Sequence, residues 1–503
     1  MLGVQSTDGR FDGSQCGRVS RRAFLSDCGM GFTGLALGAM LQDDGVVRAA
    51  PHDLWRPPTG LPHGAPKAKS VIWLFMLGGT SHLESFDYKP QINRYADKSF
   101  VETPHNDAIV QSPFFRKNAR DFTGEPRKMM SKIFPLQVGY QKYGQSGIEI
   151  SDWWPHVGQR ADDIAFIRSM WTTDNDHAAQ LQFHTGRHVL DGYFPSIGSW
   201  VHYGLGTLNE NLPRFVALGN PPRDCCGGVA AHGADYLGPE HAGVQISADP
   251  ERPLAFGSPG SNVYLEEKRD QFDFLQTLNA EAGIAYPDDQ EMKARIKSYE
   301  LAFRMQMAVP EVVKISEESK ATLNHYGFDR EVTRPFAEKC LTARRLVEKG
   351  VRFVQIYHDD WDAHSKLKEN HSKNCAQVDQ PIGALLGDLK QRGLLDETLV
   401  VWATEFGRTP GVEVRDNSNS LVDGRDHHNY GFTIWMAGGG IKGGVTHGAT
   451  DELGFHAVKD RHYVTDVHAT VLKQLGLESR RLNVPGHKRI EIDYGKPMDA
   501  IIG

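Results

Sequence analysis

Val71-Ile72-Trp73-Leu74-Phe75-Met76-Leu77, closed by Gly78-Gly79, decides the fold. An unbroken apolar run this short, ended by glycines, predicts a strand buried on both faces, because a strand with one face in water alternates apolar with polar residues. The same reasoning marks strands at 164–167, 215–218, 351–357, 398–403 and 432–437. Helical spacing of apolar residues marks 298–307, 335–349, 377–392 and 465–475. Strands alternating with helices predict an α/β sandwich with a mostly parallel central sheet. Residues 90–150 and 220–295 are less regular and read as large loop insertions over the strand ends, where open α/β sheets bind ligands. On this reading 70–503 is a single α/β domain.

Upstream, residues 50–69 are rich in proline and glycine and predict an extended lead-in. Before them, Ser20-Arg21-Arg22-Ala23-Phe24-Leu25 and the glycine-rich apolar stretch 29–41 match a twin-arginine export signal. That stretch is well short of the roughly 20 apolar residues a spanning helix needs, so residues 1–49 read as a removable signal and not as a stable transmembrane anchor. Val47-Arg48-Ala49 offers small residues for cleavage near Ala49. The expectation is a periplasmic or extracellular protein that meets the twin-arginine translocase during export. That route carries folded chains, often with a metal already loaded.

The 503 residues are 40% hydrophobic and 24% charged, enough for one large or two ordinary globular domains. A net charge of −7 gives no basic surplus, so no nucleic-acid partner is expected. Of 6 cysteines, Cys16 and Cys28 lie in the leader, and Cys225, Cys226, Cys340 and Cys375 show no Cys-x-x-Cys spacing. One or two disulfides and free buried thiols both remain open.

Five clusters of reactive side chains fall beside the strands or between them. Gly78 to Asp87 (GGTSHLESFD) follows the first strand, and Asp174-Asn175-Asp176-His177 opens a segment running to Thr185-Gly186-Arg187. His358-Asp359-Asp360-Trp361-Asp362-Ala363-His364 follows 351–357, and Thr404-Glu405-Phe406-Gly407-Arg408 follows 398–403. Gly424-Arg425-Asp426-His427-His428 precedes 432–437. Imidazole nitrogens and carboxylate oxygens drawn from separate strand ends are the donors of a zinc, manganese or calcium site. A divalent cation beside an ester oxygen would polarise it. The candidate ligands are His82, Asp360, Asp362, His364, Glu405, Asp426, His427 and His428. Adjacent residues of an extended segment point to opposite sides, so the choice between His427 and His428 stays open.

The order of these segments resembles the alkaline phosphatase superfamily, which includes the sulfatases. Thr185-Gly186 is similar to the Thr-Gly that follows the nucleophile at a fixed spacing, and counting back nine lands on Asp176. Asp360-x-x-x-His364 resembles the metal ligands after a central strand. The run 393–402 (GLLDETLVVW) resembles the lead-in to an Asp-His-Gly motif that here reads Glu405-Phe406-Gly407. The stretch 466–476 resembles the closing helix of sulfatases. The resemblance is closer still to an exported bacterial branch, domain of unknown function 1501. It rests on Arg21-Arg22 with Phe24-Leu25-Ser26-Asp27, Gly78-Gly79-Thr80-Ser81-His82, Trp361-Asp362-Ala363-His364, Glu405 to Pro410, Gly424 to His428, and Trp435 to Gly440. It covers essentially the whole mature chain.

The resemblance implies an alkaline phosphatase/sulfatase-like α/β/α sandwich. It also implies an exported metal-dependent hydrolase of sulfate or phosphate esters, acting on an anionic ester or a sulfated glycan. Three departures qualify it: Asp176 stands where the nucleophile is expected, no aspartate ends the first strand, and Glu405-Phe406 replaces Asp-His. His82, Glu84 or Asp87 would supply the lost strand-end ligand. The expected site therefore holds one divalent cation on His364, Asp362 or Asp360, and His427 or His428, with Asp176 or His177 as ligand or general base. Arg187, Arg408 or Arg425 would fork onto the anionic group. The alternative is a non-catalytic relative that keeps the fold and binds a glycan or a partner protein, favoured by the missing nucleophile.

Overall fold

The computed structural model describes residues 58–116, 132–248, 308–414, 423–482 and 495–503, with isolated positions between them. The export signal read at 1–49 lies outside the described residues, as does part of the helix read at 298–307. The apolar run forms β1 (Ser70–Met76), every residue of it buried. The other strands of its sheet are β2 (Ile164–Trp171), β3 (Phe215–Leu218), β4 (Val244–Ile246), β5 (Phe353–His358), β6 (Thr398–Ala403), β7 (Phe432–Ala437), β8 (Val445–His447) and β9 (His462–Tyr463). They lie in the order β8-β2-β7-β6-β1-β5-β3-β4, with β9 also on β2. β7 runs antiparallel to β2 and β6, and the other pairs are parallel. All six strands expected from the sequence are present.

Helices α1 (Ala179–Thr185), α2 (Ile197–Leu205), α3 (Arg334–Glu348), α4 (Leu367–Gln391) and α5 (Val464–Gln474) flank the sheet. Because strand side chains alternate, β1 feeds two cores. Ile72, Leu74 and Met76 pack with Leu341 of α3 and Leu385 of α4. Val71, Trp73 and Phe75 pack with Phe183 of α1, Trp200 of α2 and Val471 of α5. Fully burying each such side chain is worth about 1.5–3 kcal/mol, which is why the strand carries no polar face. The result is the expected α/β/α sandwich with a mostly parallel sheet.

One helix differs from its sequence reading. α4 begins at Leu367, well before 377, because its early core-facing positions are Leu367, His371, Asn374 and Cys375, whose mixed polarity hides the apolar period. The irregular stretch 90–150 contributes Ile92, Phe100, Ile109, Phe114 and Ile133 to a small third core with Leu83 and Phe455. Cys225, Cys226, Cys340 and Cys375 are free in this structure. Among the described residues no helix is long and apolar enough to cross a membrane.

Candidate metal centre

Four chain segments meet beyond the carboxyl ends of the central strands. The turn between β2 and α1 carries His177, and the loop after β5 carries Asp362 and His364. That loop is tied down where the Trp361 amide donates to the Leu77 carbonyl at 3.0 Å. After β6, Gly407–Arg408 pairs antiparallel with His427–His428. This short ribbon turns His427 into the site and His428 away, where its ring stacks on Phe455 at 4.3 Å and its Nε2 bonds the Phe455 carbonyl. His427, and not His428, is thus the one of the two that faces the donor atoms of His177, Asp362 and His364.

His177, Asp362, His364 and His427 each offer a donor atom, and these atoms all lie within 4.8 Å of one another. The Nε2 atoms of His177, His364 and His427 lie 3.1, 2.9 and 3.1 Å from the Asp362 carboxylate. Each Nδ1 faces a second oxygen: Glu405 Oε1 at 3.2 Å, Glu413 Oε2 at 2.6 Å, and the Asn175 carbonyl at 2.9 Å. A neutral imidazole has one N–H. Three rings between six accepting contacts must therefore either all be cations, with centroids 4.5 and 4.6 Å from the middle ring, or point at least one lone pair at an oxygen. Burial above all holds His427 well below its ordinary pKa, so it stays neutral and one of its nitrogens faces an oxygen without a proton. A divalent cation between the Nε2 atoms and Asp362 would remove the conflict, and Nδ1–H donation to an oxygen is the usual orienting contact of metal-bound histidine. The donor set fits such an ion.

The charges of the site centre on Asp362. Burial opposes ionisation there, but hydrogen bonds from His177, His364 and His427, then the Arg408 charge, hold its carboxyl far below the usual range. Burial also opposes protonation of His177, yet Asp362 and Glu405 outweigh it and raise the ring to about 9. Glu405 is buried and also accepts from the Gly78 amide at 2.9 Å and Gln180 Nε2 at 2.8 Å. It thus stands behind His177 rather than in the four-residue group.

Other candidates fall elsewhere. His82 is buried on the Gly454 carbonyl at 2.8 Å, and Asp360 is exposed, pairing with Lys373 at 3.3 Å. Asp426 joins His364 and Glu413 in a second group that could hold an ion. Asp176 lies outside both groups, its amide bonded to Asp174 Oδ1 at 3.0 Å. Two of the three arginines expected on substrate, Arg408 and Arg425, are fully buried. Arg408 donates to Asp362 Oδ1 at 2.8 Å and to the carbonyls of Gly78 and Gly79. Arg425 is buried against Glu84 at 2.7 Å. Arg187 stacks over Phe194 at 4.9 Å. Full enclosure of Arg408 and Arg425 by protein acceptors is why neither can reach a ligand. Sequence reading missed Glu413, a lone acid with no spacing signal.

A family profile described as "Protein of unknown function (DUF1501)" matches residues 68–502. The chain belongs to the DUF1501 family. No curated protein matches it. Among solved structures, this DUF1501 chain is similar to the lipoteichoic acid synthase LtaP from Listeria monocytogenes, with 8% identity over 88% of this chain and 78% of that one, at a TM-score of 0.36. It is also similar to the PsFucS1 sulfatase from Pseudoalteromonas sp., with 13% identity over 70% and 66% of the two chains, at 0.33. The alkaline phosphatase from the Antarctic bacterium TAB5 aligns with 11% identity over 82% and 99%, at 0.32. None of these alignments bears on substrate or chemistry.

The DUF1501 site opens on one side. Side-chain exposure is 39% for Asp362 and 27% for His177, against 16% for His364 and 6% for His427. Asp362 and His177 therefore form the accessible edge. They line a cavity of about 470 Å³ together with Gln180, Arg223, Cys225 and Cys226. Arg223, which the sequence did not single out, also lines this space.

Proposed function

We propose that this protein binds one divalent cation through His177, Asp362, His364 and His427, and that it is an exported hydrolase of sulfate or phosphate esters. The observation that carries the cation is the set of three imidazoles whose Nε2 atoms converge on one carboxylate while each Nδ1 faces an oxygen. Three nitrogens and one oxygen favour zinc, or manganese, over calcium, which takes oxygen ligands. When bound, such an ion lowers the pKa of water and polarises an ester oxygen.

The chain's own residues then have separable tasks. Glu405, Glu413 and the Asn175 carbonyl hold the Nδ1 protons and fix the three rings. Arg408 clamps Asp362 against the Gly78-Gly79 turn. Arg223 meets the anionic group of the ester from the cavity wall, a role suited to a guanidinium. Asp176 supplies no hydroxyl nucleophile of the usual kind, and on this reading water is the attacking group. The twin-arginine leader fits delivery of a folded, ion-loaded protein to the periplasm or beyond.

The test is elemental analysis of the mature protein and of His364→Ala, followed by assay on aryl sulfate and aryl phosphate esters. Near-stoichiometric metal lost in the variant, with turnover of either ester, is the expected result. Metal-free wild-type protein overturns the cation site. Bound metal without turnover leaves a binding protein for glycan or partner.

A further inference from the structure

Cys225 and Cys226 sit in a single short turn, Asp224–Cys226, in the wall of the cavity that His177 and Asp362 open onto. Their Sγ atoms are 2.9 Å apart and both are free thiols, Cys225 exposed and Cys226 buried. The turn is followed by Gly227 at φ 113° and Gly228 at φ 52°, conformations that glycine adopts without strain. The other described cysteines, Cys340 on α3 and Cys375 on α4, are buried in the core. The vicinal pair is thus set apart by contact, by exposure and by place.

We propose that Cys225 and Cys226 form a reversible dithiol–disulfide switch in the cavity wall, oxidised by exchange with a disulfide such as that of glutathione. The Cys225 thiolate attacks one sulfur of the oxidant and expels one thiolate, leaving a mixed disulfide on Cys225. The Cys226 sulfur, losing its proton, then attacks the Cys225 sulfur and expels the second thiolate. Two protein thiols are oxidised, one disulfide is reduced to two thiols, and the two protons end on the released thiols. Burial first, and then the neighbouring thiol, push the Cys226 thiol up, which leaves the opening attack to Cys225.

Closing the ring has a structural cost. Adjacent Cα atoms stand about 3.8 Å apart across a trans peptide, less than the roughly 4.4–6.8 Å that a disulfide normally spans. The turn must therefore change shape, and the bond belongs to the strained, readily reduced class. Arg223 on one side lines the cavity at the candidate site, and Gly227 on the other lines a second pocket beside Tyr193 and Phe194. One two-electron event would reshape both.

The experiment treats the purified mature protein with oxidised glutathione and then dithiothreitol, following intact mass and iodoacetamide mapping at each step. The expected result is a loss of about 2 Da with no adduct, and a peptide spanning 225–226 that resists alkylation until dithiothreitol is added. Cys226→Ser is expected to trap the glutathione adduct on Cys225. A stable adduct on wild-type Cys225, or thiols that stay alkylatable throughout, overturns the switch. The readout needs no metal and no turnover, so the switch and the proposed hydrolase stand or fall separately.

Discussion

His364 is held between two acids: its Nδ1 lies 2.6 Å from Glu413 Oε2 and its Nε2 2.9 Å from Asp362 Oδ1. Glu413 is buried, and it lies on the stretch of chain that follows the Gly407–Arg408 arm of the ribbon. A ring so held presents one fixed nitrogen to the site. Glu413→Gln removes the charge that orients it, and metal affinity is expected to drop about 10- to 100-fold, measured by competition with a chromophoric chelator. Unchanged affinity would show that His364 needs no such support.

The two adjacent histidines separate by substitution. His427→Ala is expected to abolish metal binding, whereas His428→Phe keeps full stoichiometry because that ring points away from the site, onto Phe455. Metal analysis of the pair decides it. Loss in His428→Phe alone would reverse the assignment.

Arg425 is a stability residue. Its guanidinium pairs with buried Glu84 and donates to the carbonyls of Thr409, Pro410 and Phe134. Arg425→Met strands that carboxylate in the interior and is expected to cost about 3–5 kcal/mol in chemical denaturation. Adding Glu84→Leu should recover part of the loss. A direct role in substrate binding predicts the opposite: normal stability with impaired turnover.

Gly78 is where strand and site touch most closely. It has φ 123°, and a Cβ there would lie 2.4 Å from the Asp362 amide nitrogen. Gly78→Ala is therefore expected to lose about 1–3 kcal/mol to backbone strain and, by pushing the Asp362 loop outward, to weaken metal binding as well. The thermal midpoint and metal content should fall together; a fall in neither would mean that the loop can yield.

Buried histidines behind the sheet make the fold acid-sensitive. Burial first of all lowers His184 to about 3, and His232 and His468 to about 4. They are neutral when folded and take up protons when unfolded, below about 6.5. Their contribution is full above that value and is lost as pH falls towards 4 and 3. The thermal midpoint should decline between about pH 6.5 and pH 4, and less steeply in His184→Gln. Equal slopes in the two proteins would exclude His184 from the effect.

The strands were legible because full burial leaves an unbroken apolar signature, as in 71–77. The start of α4 was not, since His371 and Asn374 occupy core positions where hydrophobicity carries no period. At the site, the clusters around Asp362, His364 and His427 were readable as residue types, but which atoms converge depends on side-chain direction. Local sequence could not separate His427 from His428 until the ribbon partner was known. Nor could it tell that Arg408 and Arg425 spend their donors on main-chain carbonyls, because those carbonyls belong to segments far away in the chain. Glu413 and Arg223 gave no signal, since a single charged residue in a loop is ordinarily solvated.

Val71 pairs with Phe353 on one side and Leu399 on the other, so the first strand of the sheet is also its centre. During synthesis that strand emerges long before either neighbour exists. It is an apolar ribbon with both edges bare, the kind of segment that aggregates when left exposed. The nascent chain must be shielded until its last third has left the ribosome, and any truncation before β6 should yield an insoluble product instead of a smaller folded one.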